Sequence, residues 1–284
     1  MLVQLLSKGA DIAMLSFVIS SMLALGVSLT IAQIVEPLRN VRLVLFALLG
    51  NFVAMPAVAL LLANLLRLDE QFGIGLLVLG CTAGAPFLPK LAERAKGDIA
   101  FAVGVMVLLM VVTIGYLPIV LPLLLHGVTV DPRKIARSLV LLMLLPLAIG
   151  LVAKARLADL AVRVKPVLNL ISNISLYLLL LLITAANLNK VLQVFGSRAI
   201  LAGLLFIALG FGIGWLLGGP GGDTKRVVAL GTAQRNIAAA LVVATESFSD
   251  QKVVVMVTVI AIMSLITLMP LSGALVDRRP VRSN

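Results

Sequence analysis

Val78-Leu79-Gly80-Cys81-Thr82-Ala83-Gly84-Ala85-Pro86-Phe87-Leu88-Pro89-Lys90 opens as an apolar run fit for a membrane helix and then breaks. Glycine, threonine and two prolines arrive where the run should lie at mid-bilayer. Far downstream, Ala229-Leu230-Gly231-Thr232-Ala233-Gln234-Arg235-Asn236 interrupts a second apolar run in a similar way. Paired interruptions in corresponding halves of a membrane protein point to a transport site.

The composition around these breaks fixes the class. The 284 residues are 61% hydrophobic and 12% charged, too little charge for the surface of a soluble domain. Apolar stretches near the ~20 residues a bilayer requires recur from end to end. Period-2 alternation is absent, which disfavours an outer-membrane barrel. The expected fold is an all-α polytopic membrane protein, residues 1–284 forming one transmembrane transporter domain with no soluble module. Met1–Asp11 reads as too brief and polar for a cleaved signal peptide, so the first span stays in the membrane.

About nine spans are expected on the length criterion. They run over Ile12–Ile34, ending at Glu36-Pro37, then Val41–Leu66, Gln71–Ala95 (broken), and from Gly97-Asp98 to Leu125. Ile135–Ala153, Pro166–Leu188, Ala199–Leu217, Val227–Thr245 (broken) and Val253–Val276 follow. The formal net charge of +11 sits in short loops, so it marks topology rather than nucleic-acid binding. One side carries Lys8, Arg67, Arg133, Lys134, Arg137, Lys190, Arg198 and Lys252. The other carries a longer set, among them Arg39, Arg42, Arg94, Lys96, Lys154, Arg156, Lys225, Arg226, Arg278, Arg279 and Arg282. The positive-inside rule then puts the N-terminus outside and the C-terminus in the cytoplasm, in a cell (inner) membrane.

The two breaks suggest an inverted repeat. Leu79-Gly80-Cys81-Thr82 resembles Leu230-Gly231-Thr232-Ala233, and Gly97-Asp98-Ile99 resembles Ser249-Asp250-Gln251 at nearly the same offset. At the first break Pro86 and Pro89 remove backbone donors, and Gly84 lets the chain turn. The helix restarting near Pro86 would aim free N–H groups and a positive dipole end at mid-membrane, which suits an anion. Buried proline kinks with no ligand are the plainer alternative. Arg235 argues against it, because an intramembrane arginine costs ~2.5–3.5 kcal/mol on insertion scales and needs a cavity, a ligand or a carboxylate. Glu93 or Glu246 would be that carboxylate in a purely structural ion pair.

Thr82, Gly84, Pro86, Lys90, Thr232, Gln234, Arg235 and Asn236 are therefore the candidate substrate-binding residues, with Asn51, Pro89 and Gly231 supporting the crossover. Lys90, Glu93 and Arg94 share one helical face, which also fits a snorkelling, solvated surface. Asn51 and Asn173 read as interhelical hydrogen-bonding residues, and Trp215 as an interfacial anchor. Cys81, the one cysteine, reads as packing rather than as a nucleophile. His126 is the one histidine, and no metal-ligand spacing is present, so neither a metal nor an enzymatic constellation is expected.

These motifs carry a resemblance. Gly50-Asn51-Phe52-Val53-Ala54-Met55-Pro56-Ala57, Gly80-Cys81-Thr82-Ala83-Gly84, Ala95-Lys96-Gly97-Asp98-Ile99-Ala100 and Gly231-Thr232-Ala233-Gln234-Arg235-Asn236-Ile237-Ala238-Ala239-Ala240-Leu241 resemble, in order and spacing, the bile acid:sodium symporter family. The resemblance implies a bacterial, nine-helix member with core and panel domains and two broken helices crossing behind a cavity. It implies transport of organic anions such as bile acids, steroid sulfates or small carboxylates, usually with sodium. The family's sodium ligands do not carry over. By alignment they fall on Leu88, Pro89, Ala102, Met106, Ala229 and Ala233, and only Asn51 keeps an amide, with Gln234 on a family asparagine. Such side chains supply no oxygen to a hard cation.

The expected function is a secondary transporter or facilitator of a small organic anion, working by alternating access without sodium. Arg235, with Lys90, would supply fixed positive charge where relatives use bound sodium. Coupling to protons, through Glu93, Asp98 or Glu246, is one option. The alternatives are a sensor or scaffold that retains the transporter fold, and a sodium symporter with relocated ligands. No cofactor is expected, sodium is doubtful, and the partners are the anion and the lipid bilayer, with no nucleic acid.

Overall fold

The computed structural model describes residues 2–35, 39–125, 131–186, 189, 192, 194 and 197–276, all helix and connecting turn. Glu36-Pro37, His126, Leu188, Lys190, Arg278, Arg279 and Arg282 lie outside the described residues. The helices follow the apolar runs: α1 (Leu2–Ser28), α2 (Val41–Leu65), α3 (Glu70–Cys81), α4 (Leu88–Arg94), α5 (Ile99–Leu124) and α6 (residues 132–156). After them come α7 (Ala158–Ala186), α8 (Ala199–Leu217), α9 (Gly222–Ala233), α10 (Ile237–Ser247) and α11 (Gln251–Ala274). Among the described residues eight helices are long and apolar enough to cross a membrane, with α9 and α10 counted as one. The expected third span is the pair α3 and α4, of 12 and 7 residues. Neither half reaches the ~20 residues that cross a bilayer.

Helix starts are set by short acceptor side chains, which satisfy donors the first turn leaves open. Asn40 accepts from the Leu43 N–H, Asp69 from Gln71, Asp98 from Phe101, Asp131 from Arg133 and Asp250 from Lys252. The Asp98 and Asp250 caps stand at matching places behind the two breaks, at 2.9 and 2.8 Å from their donors. The repeat read from Gly97-Asp98 and Ser249-Asp250 is thus a repeat of helix-start chemistry.

Three helices depart most from the boundaries read in the sequence. α1 starts at Leu2 and stops at Ser28, before the expected end at Ile34. There Thr30 and Gln33 form a reciprocal cap and start a separate turn at Ile31–Val35, so the apolar pattern spans a real interruption. α7 starts at Ala158, not Pro166, and carries Pro166 inside a 29-residue helix. The first-turn preference of proline suggested a start that the helix does not need. α9 starts at Gly222, five residues before Val227.

Prolines also explain two wide turns. In α2 the stretch Gly50–Ala54 is π-helical just before Pro56, and in α6 Val140–Leu144 is π-helical just before Pro146. Pro56 has no N–H for the Phe52 carbonyl, and the Tyr116 hydroxyl supplies the donor instead, at 2.6 Å.

The helices pack as two groups. α1 lies along α6 and α7, and Gly26 meets Gly150 there so closely that a Cβ on Gly26 would sit 2.4 Å from the Leu147 carbonyl oxygen. The larger group holds α2, α3, α4, α5, α8, α9, α10 and α11, with α9 and α10 buried at its centre. The groups meet where the start of α6 touches α10 and α5, and where α7 touches α11.

Candidate functional site

The two breaks cross. The Asn236 N–H donates to the Thr82 carbonyl at 3.3 Å, and Asn236 Nδ2 donates to the Gly84 carbonyl at 3.1 Å. Asn236 Oδ1 also caps α10 through the Ala239 N–H, so this one side chain closes its own helix and ties down the other break. Gly84 has φ +79°, and a Cβ there would lie 2.2 Å from the Met110 nitrogen, so the chain can turn against α5 only with glycine. From the other side Thr113 Oγ accepts from the Ala83 N–H at 3.0 Å and donates to the Ala83 carbonyl at 3.1 Å.

Arg235 fills the middle. It is 0% exposed, and its five N–H groups all reach oxygen. Nε donates to the Leu79 carbonyl at 2.9 Å. Nη1 donates to Asn51 Oδ1 at 2.7 Å and to the Thr232 carbonyl at 3.1 Å. Nη2 donates to the Gly80 carbonyl at 2.8 Å and to the Asn51 carbonyl at 3.4 Å. Leu79 and Gly80 end α3, and Thr232 ends α9. The guanidinium therefore sits between the C-terminal, negative ends of two half-helices, where a cation is favoured. Asn51 offers its backbone carbonyl because the π turn pairs Met55 N–H with Gly50 and leaves the Asn51 carbonyl open. Asn51 Nδ2 is held by Ala47 at 2.9 Å and Thr232 Oγ at 3.3 Å, which turns Oδ1 toward Arg235.

The sequence expectations divide accordingly. Thr82, Gly84, Thr232, Arg235, Asn236 and Asn51 converge and are all buried, their hydrogen bonds met within the crossover. Gly231 is buried where a Cβ would lie 2.9 Å from Leu88. No carboxylate pairs with Arg235 among the described residues, so the Glu93 or Glu246 ion pair is not formed. Gln234 is 4% exposed, yet its Oε1 has no hydrogen-bond partner. Pro86 and Pro89 are half-buried and Lys90 is exposed, its Nζ 5.6 Å from the Phe87 ring centre. Pro86 precedes α4, Lys90 and Glu93 are exposed on it, and none of the three hydrogen-bonds Arg235. Asp98 is occupied by its cap, and Glu246 approaches Lys134 at 3.9 Å. Thr113 and Tyr116 were absent from the sequence reading. Their signal was two hydroxyls three residues apart on the otherwise apolar α5.

Comparison with known proteins follows this geometry. A family model described as the Sodium Bile acid symporter family matches residues 15–194, which include the first break. The chain is 22% identical over 253 residues to the probable sodium/metabolite cotransporter BASS3, chloroplastic, of Arabidopsis thaliana, covering 86% of this chain and 59% of that protein. It is 28% identical over 207 residues to the uncharacterized sodium-dependent transporter YocS of Bacillus subtilis, covering 69% and 60%. The hepatic sodium/bile acid cotransporter of Rattus norvegicus is 26% identical over 156 residues, 52% of this chain and 43% of that protein. The chain thus spans about three fifths of the length of the first two relatives.

Proposed function

The chain belongs to the Sodium Bile acid symporter family, a family of membrane transporters and not of enzymes, and we propose that it carries a small organic anion by alternating access without a coupling sodium ion. The observation that carries the reading is the set of oxygens around Arg235. Carbonyls at two helix C-termini and an amide oxygen are what a hard cation seeks. Here a covalently attached guanidinium takes them all, and Ala229 and Ala233 stand where the family's side-chain ligands align. A fixed cation cannot dissociate with the cargo, so it neutralises the crossover without storing an ion gradient.

On this reading Arg235 organises the site and the anion meets other groups. Lys90 on the exposed face of α4, with Pro86 just before that helix, supplies charge and shape, and Gln234 supplies a buried amide that donates to the anion through Nε2. Of the acids considered for proton coupling, Glu246 stands where the two helix groups meet, whereas Asp98 is held in a cap and Glu93 lies on α4's open face. The domain is single, with its N-terminus outside and C-terminus in the cytoplasm of a bacterial inner membrane. Uptake into proteoliposomes tests the proposal, using carboxylates and sulfonates first selected by thermal stabilisation. The expected rate is unchanged when choline replaces sodium. A collapse of uptake in choline overturns the sodium-free reading.

A further inference from the structure

A second feature lies apart from the crossover, at the end of α8. Phe211, Gly212, Trp215, Leu216 and Leu275 line an open groove of about 470 Å³ with almost wholly apolar walls. Phe211 and Trp215 stack with centroids 5.8 Å apart, and a Cβ on Gly212 would meet nothing within 4 Å. Lys225, in the first turn of α9, holds its Nζ 5.5 Å from the Trp215 ring centre. Among the described residues no carboxylate pairs with Lys225, while Asp223 in the same turn approaches Arg226 instead.

We propose that this groove binds one anionic phospholipid, its acyl chain over Gly212 and its head group on Lys225. Tryptophan prefers the depth where lipid head groups meet hydrocarbon. The aromatic ring holds the ammonium beside the groove, and an ammonium carries three donors for a phosphate. Basic residues at the mouths of grooves between membrane helices select anionic lipid. A second copy docking on the same patch by two-fold symmetry would enclose two Lys225 ammonium groups, one from each copy, in one apolar interface. The inference rests on the membrane reading of the chain and is independent of transport.

Trp215 is the sole tryptophan, so its fluorescence reports this groove alone. The protein is reconstituted in phosphatidylcholine containing, at equal mole fraction, either brominated phosphatidylcholine or brominated phosphatidylglycerol. The expected result is stronger quenching by the brominated anionic lipid, equivalent to about fivefold enrichment for one basic contact. Lys225→Gln brings the two curves together, Lys225→Arg keeps them apart, and Gly212→Leu weakens quenching by the anionic lipid. Circular dichroism and gel filtration confirm that the variants fold. Equal curves for the unaltered protein, a gap that survives Lys225→Gln, or protection of Trp215 from both lipids by a second copy each overturn the proposal.

Discussion

A guanidinium shut off from solvent, with no carboxylate beside it among the described residues, survives in a membrane protein only if neutral oxygens take every N–H. Arg235 meets that condition with four backbone carbonyls and one amide oxygen. Replacing it by alanine leaves those neutral oxygens unpaired, and each buried acceptor left without a donor costs about 1–3 kcal/mol. Arg235→Ala is therefore expected to lower the Tm in detergent sharply, with Arg235→Lys in between because it keeps a charge and three donors. An Arg235→Ala variant as stable as the parent, but without uptake, would return Arg235 to the role of substrate ligand. The position of Arg235 was legible in the sequence, since a charge inside an apolar run demands a reason. Its partners were not, because they are main-chain carbonyls and leave no mark in side-chain pattern. Asp69 gives a smaller test outside the bilayer. Its carboxylate accepts from Lys252 Nζ at 2.9 Å, and this hydrogen bond, with the Gln71 N–H, holds its pKa below the usual value. A lowered acid contributes stability above its unfolded pKa, near 3.9, and loses it as pH falls through the folded value. Asp69→Asn should thus reduce stability at pH 7 by no more than about 1 kcal/mol, as for an exposed pair, and the difference should fade as the pH drops below the unfolded pKa and through the lowered folded one. A constant difference across that range would refute the pairing.

The elements owe their form to donors that are missing. Pro56 leaves the Phe52 carbonyl open, and Tyr116 closes it at 2.6 Å while its ring packs on Phe52 with centroids 4.8 Å apart. Tyr116→Phe keeps the ring and removes the donor, so a loss of about 1–3 kcal/mol is expected for the orphaned carbonyl. No change in Tm would mean that water replaces the hydroxyl. Gly84 is stricter. Its positive φ and the 2.2 Å approach of the Met110 nitrogen leave an added methyl no room, because the obstacle is backbone. Gly84→Ala should fail to give monodisperse protein, whereas Gly222→Ala, with open space around it, should behave as the parent does. Breaks of this kind can be read from Gly and Pro in an apolar run. Their exact neighbours cannot, since Thr113 and Tyr116 approach from another helix. Boundaries were least legible where one residue type serves two roles, as with Pro166, which fits a first helical turn yet lies inside α7.

At the scale of the molecule, the proposed alternating access would require the α1, α6 and α7 group to move against the rest. The family resemblance named this division, and the packing of α1 along α6 and α7 shows it, but apolar periodicity had no means of assigning helices to either group. The point to test is where the groups touch through polar atoms. Lys134 at the start of α6 faces Glu246 at the end of α10, 3.9 Å apart, and Thr245 Oγ lies 3.4 Å from Met14 Sδ on α1. Both ionic side chains are about half exposed, so the pair adds little stability and can open. A contact that parts in the proposed cycle needs that weakness. Cys81, the sole cysteine, is fully buried, which leaves the background silent to thiol reagents. With Lys134→Cys and Glu246→Cys combined, a reducible bis-maleimide bridge should stop uptake, and cleavage of the bridge should restore it. Each single variant should show the same uptake before and after the same treatment. Full uptake in the bridged double variant would show that these groups do not separate during transport, and the moving surface would have to be sought at the α7–α11 contact instead.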